Sequence, residues 1–240
     1  MRYALWFALT ALGAFQAAAQ VNPVEQRIAA AQKKVQSTPK SWQAYNDLAF
    51  AFCRKGRDNG ETAAYDQAQA GLDHSFALSP GNYDAEKLQV TVLLGKREFA
   101  KALKLATELN NKVHDDIAVW GLLVDSNVAL GNYPEAERDA QWILDLRAGS
   151  SLGFVKAAGL RVLFGDPQGA IEFYDEANRR TSANDLDEHA WLLTQIASIQ
   201  LASGNVKEAE ARLREAVKLF PDSQLAAAVQ AKVGTVQARR

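Results

Sequence analysis

Small and apolar residues recur along the chain at a fixed long step. Ala68, Ala102, Ala136 and Ala170 stand 34 residues apart, and Ala209 follows 39 residues after Ala170. Three positions before each alanine stand Tyr65, Phe99, Tyr133, Pro167 and Val206. Four after come Leu72, Ala106, Ala140, Tyr174 and Leu213, and seven after come Ser75, Leu109, Ile143, Ala177 and Ala216. These offsets mark one stripe of an amphipathic helix, packed through small residues. A glycine precedes each stripe, at Gly56, Gly95, Gly131, Gly165 and Gly204, where it reads as the stop of an upstream helix. The pattern predicts helix, tight turn, helix, five times over residues 42–221. In the first unit Gly56 precedes Ala68 by 12 residues rather than 5, which predicts seven residues inserted in its turn around Arg57-Asp58-Asn59-Gly60.

Both ends of this array carry helix signals of their own. Asn22, Pro23 and Glu25 supply an N-cap, a first-turn proline and an acid suited to the helix dipole, with Val24, Ile28, Ala31 and Val35 at helical spacing. An end helix is expected over 22–38, closed by Pro39. Ser223 caps a second over 223–240, with Leu225, Val229, Val233 and Val236 on one face and Arg239-Arg240 at its end. Terminal repeats of stacked arrays otherwise expose apolar surface.

Residues 1–19 follow a different pattern. Arg2 is followed by an apolar run from Tyr3 to Phe15 and by Ala17-Ala18-Ala19. These are the three parts of a secretory signal peptide, with cleavage expected between Ala19 and Gln20. The run falls short of the roughly 20 residues that span a bilayer, and the lone cysteine, Cys53, is too far downstream for lipoprotein processing. The expected location is therefore periplasmic or secreted, with an inner-membrane anchor formed by residues 3–19 as the alternative. Residues 20–240 are then a single domain.

Composition narrows the chemistry. Apolar residues make up 48% and charged residues 23%, and 27 Lys+Arg nearly balance 28 Asp+Glu. Nothing in that balance attracts nucleic acid or an anionic membrane. One cysteine excludes thiolate zinc sites and internal disulfides. His74, His114 and His189 lack metal-ligand spacing, and no phosphate loop is present. Asp185, Asp187 and Glu188 lie in the five-residue extension before the fifth unit and read as a solvated helix start. Arg54-Lys55-Gly56-Arg57 is too short a basic run to bind nucleic acid. No catalytic residue, cofactor or metal is expected, and the protein is expected not to be an enzyme.

The units resemble the tetratricopeptide repeat family, whose 34-residue unit carries a W-x2-L-G-x2-Y, A-x3-F, P pattern. The third unit matches through Trp120, Leu123, Val124, Gly131-Asn132-Tyr133-Pro134-Glu135-Ala136, Ala140 and Ile143. The fifth matches through Leu193, Ile196, Ala197, Gly204, Val206, Ala209, Leu213, Ala216 and Pro221. The segment from Gln141-Trp142 through Leu146-Arg147 to Phe164-Gly165-Asp166 is similar to exported bacterial repeat proteins. The resemblance implies an all-α, right-handed superhelical solenoid of helix pairs with capping helices.

It also implies a concave face lined by the first helix of each unit. Carried onto this chain, the groove residues are Asn46, Phe50, Asp125, Leu152, Val155, Val162, Trp191, Ser198 and Leu201, an apolar surface with few charges and Trp191 as its anchor. Phe50, Ala118 and Leu122 stand where a clamp for acidic peptide tails needs polar or basic groups. The implied function is an exported, non-catalytic scaffold or adaptor of the bacterial cell envelope. It would bind a protein or extended peptide and be a monomer when isolated. The alternative is a permanent structural subunit or assembly factor of an envelope complex.

Overall fold

The computed structural model describes residues 22–238, so the leader expected at 1–19 and Arg239-Arg240 lie outside the described residues. Twelve helices and no strands are found among those described: α1 (Pro23–Ser37), α2 (Trp42–Asn59), α3 (Thr62–Leu78), α4 (Tyr83–Gly95), α5 (Phe99–Lys112), α6 (Ile117–Leu130), α7 (Tyr133–Leu146), α8 (Ser151–Leu163), α9 (Pro167–Arg180), α10 (Leu186–Ala202), α11 (Val206–Leu219) and α12 (Gln224–Gln237). From α2 to α11 consecutive helices pair, and α2 also touches α4, α4 touches α6, and α6 touches α8, as stacking requires.

The alanine stripe explains the pairing. Ala68, Ala102, Ala136, Ala170 and Ala209 are fully buried, as are Ser75, Leu109, Ile143, Ala177 and Ala216 seven residues on. A small residue at every second-helix centre lets the first helix approach closely. The end helices form as their caps predict. The Asn22 side chain accepts from the amides of Val24 and Glu25 at 2.9 and 3.1 Å, and Ser223 Oγ accepts from the Ala226 amide at 3.2 Å. On α1, Val24, Ile28 and Ala31 are buried. On α12, Ala226, Val229 and Val233 are.

The first unit departs from expectation. Its extra residues do not form a long turn; they lengthen α2 to 18 residues and α3 to 17. The stop is Gly60, in the left-handed region at φ 70°, while Gly56 lies inside α2. Gly56 is required for space: a Cβ there would come within 2.5 Å of the Tyr65 ring, and one at Gly95 within 2.3 Å. Tyr65 is thus wedged between two helices where both lack side chains. Gly95 is not the left-handed residue of the second unit either; that place falls to Arg97, at φ 62°.

The ends of the array meet. Besides its sequence neighbours, α2 touches α12, and α1 touches α10. One apolar cluster joins Val24 and Ile28 of α1, Phe52 and Cys53 of α2, Ala190 and Leu193 of α10, and Phe220. The array therefore closes laterally on itself as a ring.

Candidate functional site

The first helices line the inside of the ring, which holds two contiguous cavities. One, of about 890 Å³, is walled by α2, α4, α6 and the start of α8 and includes Trp42, Asn46, Phe50, Lys87, Asp125 and Leu152. The other, of about 790 Å³, is walled by α6, α8 and α10 and includes Val155, Leu160, Tyr174 and Trp191. Arg54, Arg57, Asp125, Leu152 and Lys156 border both. Volumes of this size are typical of binding clefts.

Of the residues expected in the groove, Asn46, Phe50, Asp125, Leu152, Val155 and Trp191 do face this interior. Val162 and Ser198 lie apart, around a smaller cleft with Gly159, Tyr174 and Ala202. Leu201 packs against the cluster of Val229 and Val233 beneath α12, because an end helix covers that turn of α10. Trp191 is not a free anchor. It is half-buried against the Ala158 and Ile196 cluster, edge-on to Tyr174 at 6.1 Å, with the Arg57 guanidinium 4.6 Å over its ring.

Nor is the interior poor in charge. Lys156 Nζ lies 2.6 Å from both carboxylate oxygens of Asp125, bridging α6 and α8. Lys87 pairs with Asp84 at 3.1 Å and with Asp116 at 3.0 Å. Burial opposes the Lys87 ammonium, but those carboxylates outweigh it and raise its pKa. The first helix of the second unit, α4, thus faces the interior through Lys87, a position absent from the expected groove residues. On the wall of the same cavity, Asn46 carries the strongest polar signal: the residue is 7% exposed, and neither atom of its amide has a hydrogen-bond partner.

Asp185, Asp187 and Glu188, expected as a solvated helix start, form the acidic side of the seam where the ring closes. Arg54 Nε donates to Asp187 Oδ2 at 2.6 Å, its Nη2 to Asp185 Oδ1 at 3.0 Å, and its Nη1 lies 2.6 Å from Glu188 Oε2. Arg27 of α1 donates to Asp185 at 2.7 Å and to Asp187 at 2.9 Å, and Arg57 pairs with Glu188 at 2.7 Å. The guanidinium groups of Arg27 and Arg54 both lie 5.8 Å from the Phe50 ring. Burial pushes the Asp187 carboxyl up, but Arg54 and Arg27 more than offset it and hold it below the usual range. Arg57 and Arg54 do the same for Glu188. Asp185 is shifted the other way, by burial and by Asp187 beside it. Behind this network Asp58 accepts from Ser223 Oγ at 2.6 Å and from the Gln224 amide at 3.1 Å, an acid set at the positive end of α12.

Cys53 lines the first cavity, with burial pushing its thiol up to about 12, so it is no thiolate nucleophile. Among the described residues no group of His, Cys, Asp and Glu is placed to hold a metal ion, and no helix is long and apolar enough to cross a membrane.

Comparison with known proteins agrees with this architecture. Residues 162–233 match the tetratricopeptide repeat family model. None of the curated proteins compared matches the chain in sequence. Among solved structures, a thermophilic TPR protein of Thermus thermophilus superposes with a TM-score of 0.66 at 15% identity, over 82% of this chain and 100% of that one. A tetratricopeptide repeat protein of Parabacteroides merdae does so with a TM-score of 0.66 at 11% identity, over 88% of this chain and 77% of that one. With that sequence match in its C-terminal units and the shared fold over most of its length, the chain has the tetratricopeptide-repeat fold.

Proposed function

We propose that the protein is a non-catalytic scaffold or adaptor that holds a protein segment or extended peptide inside its ring, and that it works in the bacterial cell envelope after export. The single observation that carries the reading is Asn46, a buried primary amide without partners on the wall of the larger cavity. Both amide atoms are shut off from solvent as well as from partners, a costly state, and turning the amide into the cavity lets a peptide backbone supply the acceptor and donor it lacks. The helix-pair fold supports the same reading, since stacked units build extended concave surfaces for binding. Selection from a peptide array, followed by calorimetric titration of the hits, tests it. Asn46→Ala should weaken the selected peptide about tenfold, a hydrogen-bond pair's worth. Equal affinity for the variant would sink the reading. Export rests on Arg2, the Tyr3 to Phe15 run and Ala17-Ala18-Ala19; mass spectrometry of the native protein should find Gln20 first, and retained Met1 would refute cleavage.

A second reading, a permanent subunit of an envelope assembly, is favoured by one surface. Val162, Leu163 and Phe164 are consecutive and 45–51% exposed, which suits burial by a fixed partner. A subunit of that kind should self-associate on size-exclusion chromatography when purified alone, whereas the adaptor should elute as a monomer.

A further inference from the structure

A ring closed laterally admits a chain only end-first, so a segment with folded protein on both sides cannot reach the interior unless the ring opens. Most of the helix contacts run between neighbours in the stack; α2 with α12 and α1 with α10 join its two ends. That junction is rich in polar contacts: Arg27, Arg54 and Arg57 face Asp185, Asp187 and Glu188, and Asp58 holds the start of α12. The same junction also carries the apolar cluster of Val24, Phe52, Leu193 and Phe220, so parting it exposes some apolar surface. An interface this polar between parts of one chain nonetheless separates more readily than a purely apolar one. Arg54, Arg57, Asp185 and Glu188 also border the second cavity directly, so parting them opens its wall.

We propose that this seam is a gate: α1 and the C-terminal half of α2 part from α10 and α12 while the rest of the array stays folded, giving an internal segment of a partner protein lateral entry to the cavity. The proposal rests on the peptide-binding reading for what enters, but opening itself is measured without a ligand. Local opening of this kind is a sub-global event, with its own free energy below that of complete unfolding. Arg57 is the lever, since it supports both Glu188 and the Trp191 face while Arg54 and Arg27 remain to hold the fold.

Cys53 reports the event. Its thiol is buried on the cavity wall within the cluster that spans both ends, so its reaction with 5,5′-dithiobis(2-nitrobenzoate) tracks opening. Arg57→Met should speed that reaction about tenfold, the loss of one partly buried ion pair and one cation–π contact. Amide hydrogen exchange should quicken in α1, α2 and α10 and stay unchanged in α6 and α7. The opposite perturbation is a cross-link, Asp58→Cys with Ser223→Cys, whose side chains already meet across the seam. Once oxidised it should slow Cys53 labelling about tenfold or more, and reduction should restore the rate. Equal labelling in the wild-type, Arg57→Met and cross-linked proteins would overturn the gate. So would exchange in α6 and α7 rising in step with α10, because the ring would then open only by unfolding as a whole. Peptide titration stands apart from both readouts, so a seam that stays shut and a cavity that binds nothing are distinguishable failures.

Discussion

Replacing Arg54 by methionine removes the centre of the seam while keeping most of the side chain's apolar length. The Arg54 side chain is 10% exposed and that of Asp187 is 3% exposed. The variant therefore leaves a buried carboxylate with Arg27 alone and Glu188 with Arg57 alone. Breaking a buried pair from one side costs about 3–5 kcal/mol, since the charge left behind stays out of water. Arg27 and Arg57 are roughly one-third exposed and keep part of the compensation, which places the expected loss near the lower bound, about 3 kcal/mol. For a chain of this length that corresponds to a fall in Tm of about 6–12 °C. Urea unfolding followed by circular dichroism measures it, with Arg138→Met as the control. Arg138 pairs with Glu135 at an exposed site and should cost less than about 1 kcal/mol. A double-mutant cycle with Asp187→Asn should return a coupling above about 1 kcal/mol. An Arg54→Met loss no larger than that of Arg138→Met would refute the claim that the seam carries stability.

Three further outcomes are expected. Gly56→Ala should destabilise by about 1–3 kcal/mol in denaturant titration even though alanine is the better helix former, because the added methyl meets the Tyr65 ring; a neutral or stabilising result would mean that the ring moves freely. Arg97→Gly should stabilise by about 0.5 kcal/mol, relieving the left-handed backbone at φ 62° at a smaller entropic cost, and a loss in the same titration would refute it. Asp187 and Glu188 have folded pKa values below their unfolded ones, so their contribution is full above the unfolded values and is lost as pH falls through the folded ones. Asp185, raised, contributes the opposite sign. The net expectation is seam stability that declines only below about pH 4, read by urea unfolding followed by circular dichroism against pH in wild-type and Glu188→Gln proteins; a decline already present at pH 6 would contradict it.

The sequence by itself determined the repeating helix pairs and both end helices. A stripe at offsets −3, 0, +4 and +7 can bury itself only as a helix against a neighbour, and caps such as Asn22 and Ser223 act within three residues. What the sequence did not determine was where unlike ends of the array come together, because curvature accumulates from small rotations at every interface and no local signal encodes the sum. Leu201 illustrates this: its register matches an inner-face position, yet α12 takes that surface. Gly56 has the look of a helix stop until Tyr65 is seen against it. The trace of the seam that does exist in the sequence lies in two departures from the 34-residue period, the longer first unit with Arg54, Arg57 and Asp58 and the longer fifth with Asp185, Asp187 and Glu188. Read separately they are a basic run and an acidic helix start. Only the tertiary structure makes them partners, because desolvating three guanidinium and three carboxylate groups is tolerable only where each meets its opposite.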